Sequence, residues 1–252
     1  MQLNKNQILK ICKLAWIAGE KILDIYSKEF QIFKKKDMSP VTLADLESEK
    51  IIIKGLNKIF KKPIMTKSYE LLIGKEKKKS ANSIPVINPY TNDSFANVYL
   101  ADKAEINEAI ILACEAFKKT RVLPAYQRSR ICSEVAYGIK NRSEEFAKII
   151  AQESGKPLIF AKAEVQRSIS TFEVASQEAL RLNGEILTLD ITESAGGKAG
   201  LTKRFPIGAI AGISPFNFPL NLVAHKVAPA LACGNPIIIK PASSTPLSAL
   251  LL

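Results

Sequence analysis

The sequence predicts an α/β fold, a partial parallel sheet with covering helices, preceded by a separate helical segment. Three observations carry this. Residues 207–239 read as strand, turn, helix, strand; residues 102–182 hold successive segments with apolar positions three or four apart; residues 4–60 hold two further amphipathic helices.

In chain order, residues 4–28 place Ile8, Ile11, Ala15, Ala18, Ile22 and Ile25 on one helical stripe, which needs a partner to cover it. Thr42 is placed to cap a second helix, with Asp45 three residues on as in a capping box, and Leu46, Ile53, Leu56 and Phe60 supply its inner face. Lys61–Lys67 and Lys75–Ser83 are the linker candidates, and Met65 can itself serve as a start. Residues 84–89 and 95–100 flank a turn at Tyr90–Asp93, a hairpin. Asp102 and Glu105 cap a helix whose inner face is Ile106, Ile110, Ala113 and Phe117. A second helix covers 126–140, and Asn141 and Glu144 open a third that stops at Gly155. Pro157 then fixes the first turn of a long helix with Val165, Ile169, Phe172, Ala175, Ala179 and Leu182 inward, closing at Asn183-Gly184. Residues 185–191 and 199–203, around Gly196-Gly197, form a second hairpin.

The last quarter is the most informative. Ile207–Ile213 is a short apolar run, Leu220–Cys233 a helix stopped by Gly234, and Pro236–Ile239 a second, β-branched run. Together they make a βαβ unit, whose two strand ends face one crevice, where open α/β sheets hold ligands. Asn217 and Lys240 stand at those ends. An amide on a proline-bracketed turn can donate to a developing oxyanion, and a lysine past a strand end can reach ribose hydroxyls or phosphate. Read without that context, Asn217 is a turn former and Lys240 a solvated strand end.

Composition narrows the function classes. At 47% apolar and 24% charged the 252 residues suit a soluble globular protein. Apolar runs are too short and interrupted to span a bilayer, and no signal peptide opens the chain, which reads as cytoplasmic. The formal charge of +12 is densest in residues 1–64, which hold 13 of the 36 basic side chains. Lys34–Lys36 and Lys77–Lys79 lack interleaved aromatics, so a solvated lysine surface is expected in place of nucleic-acid binding. Cys12, Cys114, Cys132 and Cys233 show no zinc or disulfide spacing and are expected as reduced core thiols. Cys233, ending an apolar helix, has no base beside it to make it a nucleophile.

Two intact motifs, Ser214-Pro215-Phe216-Asn217-Phe218-Pro219 and Lys240-Pro241-Ala242-Ser243, resemble the aldehyde dehydrogenase superfamily. Glu153-Ser154-Gly155-Lys156-Pro157 and the hairpin after Met65 are also typical of it, so the resemblance covers residues 65–252. It implies an incomplete nucleotide-binding domain of that family. In such enzymes a cysteine attacks the aldehyde, hydride passes to the nicotinamide, and a glutamate-activated water hydrolyses the thioester. By resemblance Asn217 is the oxyanion donor, Ile213, Ser214, Pro215 and Phe216 contact the cofactor, and Lys240, Ala242 and Ser243 lie at the adenosine ribose. Many NAD-preferring members carry glutamate where Ser243 stands, so the cofactor is NADP or NAD with a lean to NADP. The substrate implied is a small aldehyde, such as lactaldehyde or succinate semialdehyde, and residues 185–203 are expected to join an oligomerisation sheet. Leu252 comes before the family's glycine-containing cofactor turn, catalytic glutamate and cysteine, so the chain is expected to be poorly soluble and silent alone.

The first 64 residues resemble a different family. Ser39-Pro40-Val41-Thr42-Leu43-Ala44-Asp45 after an Ala-Gly-Glu-Lys helix is similar to the start of the inositol monophosphatase superfamily, in its bisphosphate nucleotidase branch. Asp45 would match an acidic residue near that family's Mg²⁺, but the other carboxylates such a site needs are not encoded, so no metal is expected. The organisation expected is thus 1–64 helical and 65–252 dehydrogenase-like. Two readings follow: a dehydrogenase piece fused behind a phosphatase piece, or a non-catalytic protein that joins a full-length dehydrogenase. A working nucleotidase ranks third.

Overall fold

A computed structural model describes residues 5–28, 32–34, 40–60 and 67–252. The chain divides into two compact units, Met1–Met65 and Thr66–Leu252.

The first unit pairs two helices. α1 spans Lys5–Tyr26, β1 (Ile32–Lys34) and β2 (Pro40–Thr42) form a short antiparallel ladder, and α2 spans Leu43–Phe60. Ala18 and Ile25 of α1 and Ala44 of α2 are buried. Gly55 of α2 admits the Leu14 side chain, which occupies the space a Cβ would need. The expected stripe is corrected in part: Ile8 and Ala15 are exposed and half-buried Leu14 turns inward, because the α1 face that meets α2 is rotated from the predicted one. Ile53 is likewise exposed, and the Phe60 side chain lies outside the described residues, as do Lys35, Lys36 and Ser39. Thr42 ends β2, and Asp45 sits in the first turn of α2, its carbonyl accepting from the Ser48 hydroxyl at 3.0 Å.

The second unit opens with β3 (Lys67–Tyr69), β4 (Leu71–Ile73), β5 (Glu76–Lys78), β6 (Ser83–Ile87) and β7 (Ser94–Tyr99). The predicted hairpin is β6–β7, antiparallel, with β3 added in parallel along β7. Lys75–Ser83 is not a linker. Glu76–Lys78 pairs with Leu71–Ile73, and the Lys78 ammonium reaches Glu108 at 2.5 Å, so charged side chains edge a strand there. Of the other linker candidate, 61–66 lie outside the described residues and Lys67 begins β3.

Four helices follow: α3 (Lys103–Thr120), α4 (Ala125–Asn141), α5 (Ser143–Ser154) and α6 (Leu158–Glu178). The Asp102/Glu105 capping box forms as expected, the Asp102 carboxylate accepting from the Ala104 and Glu105 amides. Ala113 is buried, but Ile106 and Ile110 are exposed, since α3 packs mainly on β4 and β11 (Ile237–Lys240). Asn141 closes α4 instead of opening α5, where Arg142 takes the N-cap position. Gly155 caps α5 at φ 71°, a left-handed backbone that favours glycine. α6 stops at Glu178, which leaves Leu182 beyond the helix and largely out of the core.

The hairpin β8 (Ile186–Thr188) and β9 (Ala199–Leu201) projects with Ile186 and Leu201 exposed. β10 (Ile210–Ile213), α7 (Asn221–Ala232) and β11 then form the βαβ unit, with β10 and β11 parallel and Ile213 opposite Lys240. Pro229 interrupts α7 internally. α8 (Leu247–Leu251) follows.

The core lies among α4–α7, around Phe146, Ile150, Val165, Phe172, Leu220 and Ala224. Each buried phenylalanine contributes roughly 2 to 3 kcal/mol. Cys132 belongs to this core, whereas Cys12 and Cys114 are exposed, contrary to the expectation that all four thiols are internal. Cys114 follows Ala113 by one position and so leaves the covered face of α3. Among the described residues no helix is long and apolar enough to cross a membrane.

Glu153, 1% exposed, accepts the Leu247 and Ser248 amides at 2.6 and 3.1 Å and so caps α8. Burial pushes its carboxyl up to about 7, against the pull of the Ser248 side chain and the two amides. Between its ordinary 4.5 and about 7 the folded chain keeps a proton that the unfolded chain has released. Stability should therefore fall as pH rises through that window, by at most about 3 kcal/mol. Urea unfolding between those limits measures the slope, and Glu153→Gln should flatten it while costing about 1 kcal/mol in lost capping.

Candidate functional site

Parallel pairing brings the chain out of β10 and β11 at the same edge. The Ser214 amide donates to the Lys240 carbonyl at 3.1 Å, so the two loops start side by side. They stay joined further on, where the Thr245 hydroxyl donates to the Phe216 carbonyl at 3.2 Å. Ser214 is buried, while Ile213 and Phe216 are 71% and 63% exposed, two apolar surfaces left open at a strand end. Pro215 and Asn217 are exposed between them. On the β11 side, exposed Lys240 reaches the Ser243 hydroxyl at 3.5 Å, past half-buried Ala242.

Beneath the turn lies a charge network that the sequence reading missed. Glu164 of α6 is 1% exposed. Its Oε1 accepts the Leu220 and Asn221 amides at 3.0 and 3.2 Å, the orphan donors at the start of α7. Its Oε2 meets the Lys156 ammonium at 2.6 Å, and Lys156 also donates to the Asn217 carbonyl at 2.9 Å. The same ammonium lies 4.5 Å from the Phe218 ring, with the Arg167 guanidinium at 5.4 Å from it. The Asn217 backbone is thus held from below while its side chain faces out. A signal was available: Glu164 lies three residues after Ala161 and four before Ser168, on the face that α6 buries.

Beside this turn, a groove of about 650 Å³ runs between α6 and α7, lined by Arg167, Thr171, His225, Pro229 and Cys233 among others. Cys233 caps the far end of α7, whose 12 residues span about 18 Å, so it stands well away from Asn217. Burial, with Cys233 nearby, pushes the Cys132 thiol up. Asp45 belongs to the other unit. Among the described residues no three His, Cys, Asp or Glu side chains gather so as to hold a metal ion.

Residues 76–252 match the model of the aldehyde dehydrogenase family. The chain belongs to that family. A 3-sulfolactaldehyde dehydrogenase of Priestia aryabhattai is 37% identical over 186 residues, which are 74% of this chain and 39% of that protein. Aldehyde dehydrogenase 21 from Physcomitrella patens, solved with the reaction product succinate, superposes with a TM-score of 0.73 at 44% identity, over 75% of this chain and 39% of that one. The NADP-dependent glyceraldehyde-3-phosphate dehydrogenase of Bacillus halodurans C-125, solved with NADP, gives a TM-score of 0.69 at 33% identity, over 73% and 39%. The chain therefore spans about two fifths of the length of these aldehyde dehydrogenases. Its second unit is part of their nucleotide-binding domain.

Lys156→Met leaves the buried Glu164 carboxylate short of its cation and should cost about 3 kcal/mol. Lys156→Met/Glu164→Gln should cost less than the sum of the single changes, which a double-mutant cycle of unfolding free energies will measure. Hydrogen exchange at the Leu220 and Asn221 amides should accelerate in Glu164→Gln, because a neutral amide oxygen accepts more weakly than a carboxylate.

Proposed function

We propose that residues 66–252 supply the cofactor ribose site and the oxyanion donor of an NAD(P)-dependent aldehyde dehydrogenase. The observation that carries this reading is the shared exit of β10 and β11, with the Asn217 turn and Lys240 on loops joined by the Ser214 and Thr245 hydrogen bonds. The residues present suit a dinucleotide: exposed Ile213 and Phe216 offer flat apolar contact, Lys240 a cation, and Ser243 a hydroxyl. The cofactor, when bound, accepts hydride from the substrate carbon. Lys240 holds the adenosine ribose through its ammonium, Ile213, Ser214, Pro215 and Phe216 line the cofactor's path, and Ala242 leaves room beside it. The Asn217 amide donates to the oxygen that becomes negative as the aldehyde carbon turns tetrahedral, a contribution of about 3 kcal/mol in comparable sites. Serine at 243 tolerates a 2′-phosphate that a carboxylate would repel, so NADP is favoured.

The substrate proposed is a small aldehyde carrying an acid group. The three relatives named above act on a sulfonate, yield a dicarboxylate or take a phosphate, by their own descriptions. In this chain the Arg167 guanidinium stands at the groove beside the Phe218 ring. A second reading, assembly with another dehydrogenase chain, is favoured by the exposed Ile186 and Leu201 of the β8–β9 hairpin. A reducing cytoplasmic setting suits four free thiols.

Calorimetric titration with NADP and NAD tests the main reading. NADP should bind more tightly, Lys240→Ala should weaken both by about tenfold, and Ser243→Glu should reverse the order. Absence of saturable binding, or indifference to Lys240→Ala, would overturn it.

A further inference from the structure

Helix α1 is apolar on two faces. One, including Ile11, Leu14, Ala18 and Ile25, turns toward α2. The second runs through Leu9, Cys12, Trp16, Gly19, Leu23 and Tyr26, alternating three- and four-residue steps, which is the a/d spacing of a coiled coil. It faces outward: Leu9, Trp16 and Leu23 are 61%, 70% and 71% exposed, and Cys12 is exposed.

We propose that this second face is covered by α1 of another copy of the chain, packed antiparallel. In an antiparallel pair every a residue meets a d residue of the other helix. A single register sets Leu9 on Tyr26, Cys12 on Leu23 and Trp16 on Gly19 of the other copy, and repeats each pair by two-fold symmetry. The largest side chain therefore meets the smallest. Glycine inside a helix weakens it, and a Cβ at Gly19 would meet nothing within 4 Å among the described residues, so no described neighbour calls for glycine there. An opposing indole does.

Charge selects the same arrangement. Lys13 and Glu20 flank the stripe, are exposed, and make no ion pair among the described residues. Antiparallel packing puts Lys13 of each copy beside Glu20 of the other, on the same flank of the seam. A parallel pair would instead set Lys13 against Ile8 and Glu20 against Ala15, stack Trp16 on Trp16, and leave facing glycines with a hollow.

Trp16 is the only tryptophan of the chain, so its emission reports this face directly, whatever other surfaces associate. In the full chain the emission should be blue-shifted when concentrated and move to the red on dilution. Lys13→Glu, which opposes like charges twice, should raise the dissociation constant about tenfold or more, and Lys13→Glu/Glu20→Lys should restore it. Both positions are solvent-facing, so neither change threatens the fold. Under mild oxidation Leu23→Cys should form an intermolecular disulfide to Cys12, while the unaltered chain should form none through Cys12, since the two copies of that residue lie about 16 Å apart along the axis. Identical emission from the unaltered chain and Lys13→Glu at every concentration would overturn the proposal. So would failure of the double exchange to restore the shift, or a shift seen only with anionic vesicles.

Discussion

The geometry of the strand-end turn depends on one buried carboxylate. Glu164 satisfies two orphan amides at the start of α7 and neutralises Lys156, whose ammonium then ties down the Asn217 carbonyl. An acid this deep is tolerable only because every interaction around it is charge-assisted, and each partner would be left worse off alone. The consequence is geometric. Pro215 and Pro219 restrict the turn only locally, by fixing their own φ. Its anchorage to the body of the fold comes from Lys156 and Glu164, which stand 61 and 56 positions before the groups they hold.

Glu153 repeats the device one helix further on. It comes from the same short segment as Lys156, and its two carboxyl oxygens receive the first amides of α8. The two acids thus fasten the helices that follow β10 and β11 to a common base of α5 and α6. Their environments differ: Glu164 has a cation at 2.6 Å, whereas burial dominates at Glu153 and keeps its proton into the neutral range. The strand pair and its two loops are thus held from one side.

Much of this was legible from residues alone. A short, near-continuous apolar run reads as a parallel strand, so β10 and β11 stood out although most of their residues are half-buried or exposed, and the helices between 102 and 178 announced themselves by spacing and by the Asp102/Glu105 box. Strand β5 did not, because Glu76-Lys77-Lys78 pairs through its backbone while its side chains stay largely in water. The stripes on α1 and α3 were read correctly at Ala18, Ile25 and Ala113 but not at Ile8, Ala15, Ile106 and Ile110, since a single helix cannot say which neighbour will cover it. Around the site, Asn217 and Lys240 were visible as local motifs. Glu164 was not, because its meaning lies in a contact across 56 residues, although an acid on the inward side of an amphipathic helix was there to be noticed.

Pro229 sits inside α7 and has no amide to give back to the residue one turn earlier. The helix therefore lacks a rung at its middle, between the end clamped by Glu164 and the end capped near Gly234. The Asn217 turn and the far end of α7 are therefore separated by one missing backbone hydrogen bond.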